Sequence, residues 1–271
     1  MTITLDSKLG LIAGNGQLPV IWSQNAKKNG IEVVAISLSS DNRKQLKENC
    51  EKVYDFAPGQ IQKISETLQK EGIHQLAFIG KVHKGLVLKR PKFDAKAIEL
   101  LKQAKRLNDD AVMLLAVSEL EKIGITVLDQ TIFIKNLMAP TGVLGKIKPT
   151  PEQEEDAKYG FWVAKAMGEI DIGQTVVIKD KMVMAVEAIE GTDKCIERGC
   201  KIAKRGAVVV KTAKPKQDTR FDVPAFGLAT LKKMKRNKAA MIAVEAGKTI
   251  MVDAQKTIEY ADAHGIVVMA I

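Results

Sequence analysis

The sequence predicts an α/β protein with an N-terminal parallel-sheet domain and a second α/β domain behind it. Three observations carry this reading. Short apolar runs alternate with helix-like stretches through the first half, the pattern of parallel strands joined by helical crossovers. The first run, KLGLIA at positions 8–13, stops at Gly14-Asn15-Gly16, as a buried strand ending in a glycine turn does. The pattern changes near residue 140, where APTGVLGKIKPT holds two Pro and two Gly.

Taken in order, the first strand is followed by a helix over 18–28, with Pro19 near its start, a position proline tolerates. Strands are predicted at 31–37, 53–56, 74–80 and 125–128, with helices at 60–71, 95–107 and 109–122. This makes a domain over 1–138, a linker over 139–150 and a catalytic domain over 151–271. In that second domain Pro151 opens an acidic helix over 152–168. Asp180-Lys181 then joins two strands at 174–179 and 182–187 as a hairpin. Further strands are expected at 207–211, 240–244, 249–252 and 266–270, and no internal repeat is visible.

Composition narrows the function classes. The chain has 271 residues, 46% apolar and 27% charged, which suits a globular protein with a sizeable core. The net charge of +10 raises the question of nucleic acid, but 35 of the 42 basic residues are Lys and only 7 are Arg. Base readout favours the planar fork of Arg, and two Trp, three Tyr and seven Phe leave few stacking platforms. No nucleic-acid partner is expected. The surplus reads as a Lys-rich solvated surface, or else as attraction to anionic groups, phosphates or a lipid surface. No apolar run is long enough to span a membrane and the N-terminus does not read as a signal peptide. Cys50, Cys195 and Cys200 read as reduced thiols of a cytosolic protein. With three histidines and no HExxH, any metal must be held by oxygen ligands.

Several places carry possible chemistry. Gly14-Asn15-Gly16 can contact a phosphate or ribose, although the third glycine of a dinucleotide fingerprint is missing. Gly80-Lys81-Val82 ends a predicted strand, on the side where open α/β sheets bind ligands. Asp109-Asp110 begins a helix, as a cap or as a ligand contact. Glu187 and the Glu190-Gly191-Thr192-Asp193 loop offer oxygens for Mg²⁺, or a helix cap through Thr192 or Asp193. The densest segment is KTAKPKQDTRFDVPAFG at 211–227. It alternates Lys211, Lys214, Lys216 and Arg220 with Asp218 and Asp222, and its two prolines predict a loop. Cations beside carboxylates are what phosphoryl chemistry needs.

The segments LGLIAGNGQLP, GKV, DDAVMLL, DIGQTVVI, AVEAIEGTD, KTAKPKQDTRFDVPAFG and AVEAGKTIMVD, in this order, resemble the UDP-2,3-diacylglucosamine pyrophosphatases of the LpxI type over nearly the whole chain. The resemblance implies a Rossmann-like N-terminal domain and a C-terminal domain particular to the family. It implies Mg²⁺-assisted hydrolysis to UMP and 2,3-diacylglucosamine 1-phosphate (lipid X) in lipid A synthesis. Water is expected to attack the sugar-side phosphorus. It places catalysis on Asp222, Asp218, Arg220 and Lys214. It assigns substrate contacts to Gly14, Asn15, Gly16, Lys81, Val82, Asp110, Gly191, Thr192 and Lys211, and metal contacts to Asp222, Asp193 and Glu190. Asn15 and Lys81 depart from residues more usual in the family. A cytoplasmic enzyme follows, with a nucleotide-sugar lipid as substrate and a loose hold on the anionic cytoplasmic face of a Gram-negative inner membrane.

Two other classes compete. A Rossmann-type oxidoreductase would need the missing glycine and an acidic residue after the second strand, where Asp41 sits in a polar stretch. A non-catalytic binder of nucleotide sugars or lipids would need none of the carboxylates.

Overall fold

A computed structural model describes residues 4–81, 93–103 and 109–271 of the chain. They form two compact units: Met1–Lys135 with Thr219–Asp222, and Asn136–Asp218 with Val223–Ile271.

The first unit follows β1 (Lys8–Ala13), α1 (Leu18–Lys28), β2 (Glu32–Ser37), α2 (Arg43–Asn49), β3 (Lys52–Asp55), α3 (Ile61–Lys70) and β4 (Gln75–Ile79). Then come α4 (Ala95–Gln103), α5 (Asp109–Lys122) and β5 (Thr126–Val127). The five strands are parallel and ordered β3-β2-β1-β4-β5, as the Rossmann-like expectation requires. β1 and β2 are buried over five of their six residues, which is why they read as continuous apolar runs rather than alternating ones. Ile12, Val34, Ile36, Leu68, Leu76 and Val117 belong to one core cluster, and Phe221 packs against it. Trp22 on α1 is fully buried, edge-on to Phe133 with ring centroids 4.9 Å apart.

The second unit contains β6 (Gly142–Val143), α6 (Pro151–Glu169), β7 (Thr175–Lys179), β8 (Met182–Val186), α7 (Thr192–Ala203) and β9 (Val208–Lys211). These are followed by β10 (Ala225–Gly227), α8 (Leu228–Arg236), β11 (Met241–Val244), β12 (Ile250–Val252), α9 (Ala254–Ala263) and β13 (Val267–Ala270). Its main sheet is mixed, in the order β6-β13-β11-β9-β7-β8, and β10 pairs with β12 in a separate two-stranded sheet. The period of two sorts the core. Val176, Ile178, Val208 and Val210 face the cluster that holds Ala157 and Ala164 of α6. Val177 and Val209 face the cluster that holds Cys195 and Ile196 of α7. Glycines bring both helices close: a Cβ at Gly160 would lie 2.6 Å from Val210, and one at Gly199 2.5 Å from Val177. The hairpin turn at Asp180 and Lys181 has φ of 54° and 57°, the left-handed pair of a type I′ turn.

Several details differ from the sequence reading. Within the Pro/Gly-rich stretch 139–150, Ala139 is buried and Gly142–Val143 pairs antiparallel with β13. Proline and glycine there shape a sheet edge. The 211–227 segment is a loop only as far as Pro224, because Ala225–Gly227 joins β12. α7 is capped by Gly191 at φ 81° rather than by a Thr192 or Asp193 side chain. Helices α2, α8 and α9 lay outside the predicted elements.

Candidate functional site

In the first unit the sheet's strand order reverses between β1 and β4, the position where open α/β sheets bind ligands. The two strands end in loops that hold each other. Gly14 N–H donates to Ile79 O at 2.8 Å, Asn15 N–H to Lys81 O at 2.7 Å, and Lys81 N–H to Asn15 O at 3.2 Å. Gly14 is required here, since a Cβ would sit 2.6 Å from Lys81 O. Gly16, at φ 98°, has no heavy atom within 4 Å of its Cβ position and leaves open space. Asn42 pins the loop: its buried Nδ2 donates to Gly14 O at 2.8 Å and Gly16 O at 3.0 Å. Gly14, Asn15, Gly16 and Lys81 are thus gathered at one place. Val82 lies outside the described residues, and Asp110 is placed on α5 by its backbone alone.

Thr219–Asp222 belongs to this unit. Gln130 N–H donates to Thr219 O at 3.1 Å, Arg220 Nη1 donates to Glu121 Oε1 at 3.0 Å, and Phe221 packs on the core cluster. These contacts fix the backbone that carries Asp222.

The second unit gathers charge at one sheet edge. Strands β9 and β11 run parallel and β7 antiparallel to them. The ends of β9 and β11 therefore lie beside the start of β7. Lys211, buried at the end of β9, donates from Nζ to Ala225 O at 3.0 Å and Thr192 Oγ1 at 3.4 Å. Thr192 donates in turn to Glu187 Oε1 at 3.0 Å, and Thr175 Oγ1 is 3.4 Å from Thr192 Oγ1. The other oxygen of the buried Glu187 has no hydrogen-bond partner among the described residues.

Next to it Glu245, after β11, accepts from Ala213 N–H at 2.9 Å and pairs with Lys165 at 3.0 Å and Lys248 at 2.9 Å. Burial raises the Glu245 pKa, but the hydrogen bonds from Lys248, Lys165 and Ala213 outweigh it and the net shift is downward. Glu245 anchors the start of the 211–224 loop through Ala213.

The remaining candidates are spread along that loop and α7. Lys214 pairs with Asp171 at 2.8 Å and its N–H donates to Gln217 Oε1 at 2.7 Å. Asp218 belongs to the second unit. Glu190 is held by Arg198, whose hydrogen bond lowers the carboxyl pKa. Asp193 is exposed in the first turn of α7. Among the described residues no three His, Cys, Asp or Glu side chains group to hold a metal. The three cysteines are buried, and burial pushes Cys195 up to about 12 and Cys50 and Cys200 to about 11, so they stay as thiols.

Asn42, Gln130 and Thr175 were missed in the sequence, where nothing marks them. Glu187 and Lys211 left a trace, a single charge closing an apolar run in MAVE and VVVK.

Known proteins match this chain along its length. Residues 8–137 match the model of the LpxI N-terminal domain and residues 140–269 that of the LpxI C-terminal domain. A Caulobacter vibrioides protein named UDP-2,3-diacylglucosamine pyrophosphatase LpxI is 33% identical over 280 residues, covering 97% of each chain. Among solved structures, UDP-glucose 4-epimerase of Thermotoga maritima with UDP-glucose is 12% identical, with 92% of this chain and 72% of that one covered and a TM-score of 0.36. The biotin carboxylase domain of Hydrogenobacter thermophilus 2-oxoglutarate carboxylase is 13% identical, covering 73% and 41%, with a TM-score of 0.28. Likenesses this low carry no argument. The two domain matches and the full-length relative do: this chain belongs to the LpxI family.

Proposed function

We propose that this protein hydrolyses the pyrophosphate of UDP-2,3-diacylglucosamine to UMP and 2,3-diacylglucosamine 1-phosphate, a step of lipid A synthesis. The observation that supports it is the match to both family domains, in order, together with a relative of that name over 97% of the chain. The polar sheet edge of the second unit is consistent with phosphoryl chemistry.

In this reading a water oxygen forms a bond to the sugar-side phosphorus. The phosphorus–oxygen bond to the UMP half breaks, and UMP leaves with the bridging oxygen. Asp222 orients the water and takes its proton, with Asp218 as the second carboxylate. Lys211, Lys214 and Arg220 offset phosphate charge. Lys211 suits this most, because its ammonium is held at a fixed place by Ala225 and Thr192, and preorganised charge needs no reorganisation during reaction. Lys214 and Arg220 already share their charge with Asp171 and Glu121. Gly14, Asn15, Gly16, Lys81, Val82, Asp110, Gly191 and Thr192 contact substrate.

Mg²⁺ belongs to the same proposal. It is commonly held by one or two carboxylates plus substrate phosphate oxygens, and Asp222 and the exposed Asp193 are carboxylates of that kind. Glu190 fits poorly, because Arg198 occupies its carboxylate. When bound, the ion adds positive charge at the phosphate oxygens. A cytoplasmic location and a loose hold on an anionic inner-membrane surface complete the reading. The net charge of +10 supports that hold, and among the described residues no helix is long and apolar enough to cross a membrane.

The test is incubation of the purified protein with UDP-2,3-diacylglucosamine and Mg²⁺ in oxygen-labelled water. UMP and labelled lipid X are expected, and Asp222→Ala should lower turnover by about 10²–10⁴-fold, the range for loss of a general base. Absence of UMP rejects the activity, and label in UMP rejects the direction of attack.

A further inference from the structure

The second unit carries a patch of one sign where β9 and β11 begin, at the end of the sheet opposite Lys211 and Glu245. It is built where α7 and α8 finish. Gly206 N–H donates to Lys238 O at 2.9 Å and joins the two helix ends. Residues 198–207 and 228–240 contain no Asp or Glu. Lys201, Lys204 and Arg205 are exposed at the end of α7. Lys232, Lys235, Arg236 and Lys238 are exposed along α8 and just past it. Arg198 pairs with Glu190 and Lys233 with Glu197, while these exposed cations pair with no carboxylate among the described residues. Helix α6, whose first turn holds Glu152 and Glu154, packs on the opposite face of the sheet.

A helix macrodipole favours cations in the last turn, and its effect fades beyond that turn. Lys204, Arg205 and Lys238 lie beyond it. Lys204 and Lys238 also have φ of 66° and 60°, the region that favours glycine. Each helix thus ends on lysine where glycine is the less strained choice. Two apolar side chains stand beside these charges. Ile202 is 58% exposed. Met182, 57% exposed, pairs with Lys179, whose Nζ donates to Ala203 O at 3.3 Å.

The makeup of the patch identifies its partner. Lysine dominates, a point charge on a flexible stem without the fork that reads a base or grips a carboxylate. Neither segment holds an aromatic residue on which a base could stack. Such charges with exposed apolar side chains among them fit mobile anionic headgroups over hydrocarbon. We infer that this end of the second unit is the docking surface for an anionic lipid bilayer, with Ile202 and Met182 entering the headgroup layer. The inference rests on the reading of the substrate as a lipid, and it names the face that this reading leaves open.

The test is co-sedimentation of the full-length protein with vesicles of phosphatidylcholine, alone or mixed with phosphatidylglycerol. Binding is expected to the mixed vesicles only, fading as salt rises. Lys204→Gln, Lys232→Gln and Lys235→Gln together should weaken it by about 100-fold, at roughly fivefold per charge near such a surface. Lys44→Gln, Lys47→Gln and Lys63→Gln make the same charge change at exposed positions of the first unit and should alter binding by less than about twofold. Equal weakening by both sets, with melting transitions retained, overturns the patch in favour of net charge alone. Binding to duplex DNA at matched salt without binding to the mixed vesicles overturns it as well. Hydrolysis of detergent-dispersed substrate should stay within about twofold in the patch variant, because the patch is remote from Lys211 and Glu245. Hydrolysis of substrate embedded in the mixed vesicles should fall with binding. A native protein that binds through the patch but hydrolyses nothing keeps the surface and removes the enzyme reading. Native hydrolysis with binding indifferent to the patch does the reverse.

Discussion

The two units build their strand-end surfaces from opposite materials. The first uses backbone: Gly14, Asn15 and Lys81 bond main chain to main chain, and Asn42 braces them from the side. The second uses buried and half-buried ionic and hydroxyl side chains: Lys211, Thr192 and Glu187 in one chain of contacts, Lys165 and Glu245 in another. Backbone lined by glycine lets a ligand approach closely, and it carries only partial charges. Buried ionic side chains supply full charge at a fixed place, but each must keep its partners. One unit therefore offers close approach to backbone groups, and the other offers full charge at a fixed place.

That contrast can be broken by substitutions at matched depth. Glu245→Ala should have the largest effect on stability. It strips Lys165 and Ala213 N–H of their shared acceptor, and removing one member of a buried pair costs about 3 kcal/mol. Urea unfolding measures it, and a loss below about 1 kcal/mol would show that this edge is not held by charge. Gly14→Ala should cost about 1–3 kcal/mol, because its Cβ meets the Lys81 carbonyl and forces strain on packed loops. Gly16→Ala should cost only about 1 kcal/mol, the penalty of positive φ with open space around it. Equal losses at both glycines would remove the argument for close approach at Gly14.

The remaining effect is in acid. Glu71 accepts from Tyr54, Lys52 and Lys8, and these hydrogen bonds, Tyr54 foremost, hold its pKa down at about 2. A depressed carboxyl stabilises the fold above its ordinary value of 4.5 and loses that contribution as pH falls toward 2. Melting temperature against pH should drop over that window, and Glu71→Gln should flatten the drop. The control is Glu245→Gln in the second unit, whose carboxyl is also lowered.

Much of the strand framework was legible because strands buried on both faces announce themselves as apolar runs, as β1, β2 and β9 do. Helices α8 and α9 were not, since LATLKKMKR is strongly polar and buries only Leu231 and Met234. The candidate site divides in the same way. Its residue types were visible in the 211–227 segment, because Lys, Asp and Arg alternate there between prolines. Its internal partners were not: Lys165 with Glu245 lies 80 positions apart, and Asn42 with Gly14 lies 28 apart.

The sequence by itself determined the class of fold, the family and the basic, carboxylate-bearing loop, all of which are written in local runs of residues. Only the tertiary structure decided that Thr219–Asp222 belongs with the first unit while the residues around it belong with the second. It also decided that the residue-139–150 stretch feeds a sheet edge, and that Lys165 pairs with Glu245. The physical reason is common to all three. Each depends on which distant partner satisfies a buried apolar face, a backbone N–H or a charge, and no run of neighbouring residues records that choice. The alternation with which the sequence announced an α/β fold thus placed the strand ends, and the pairings across them set what each end can hold.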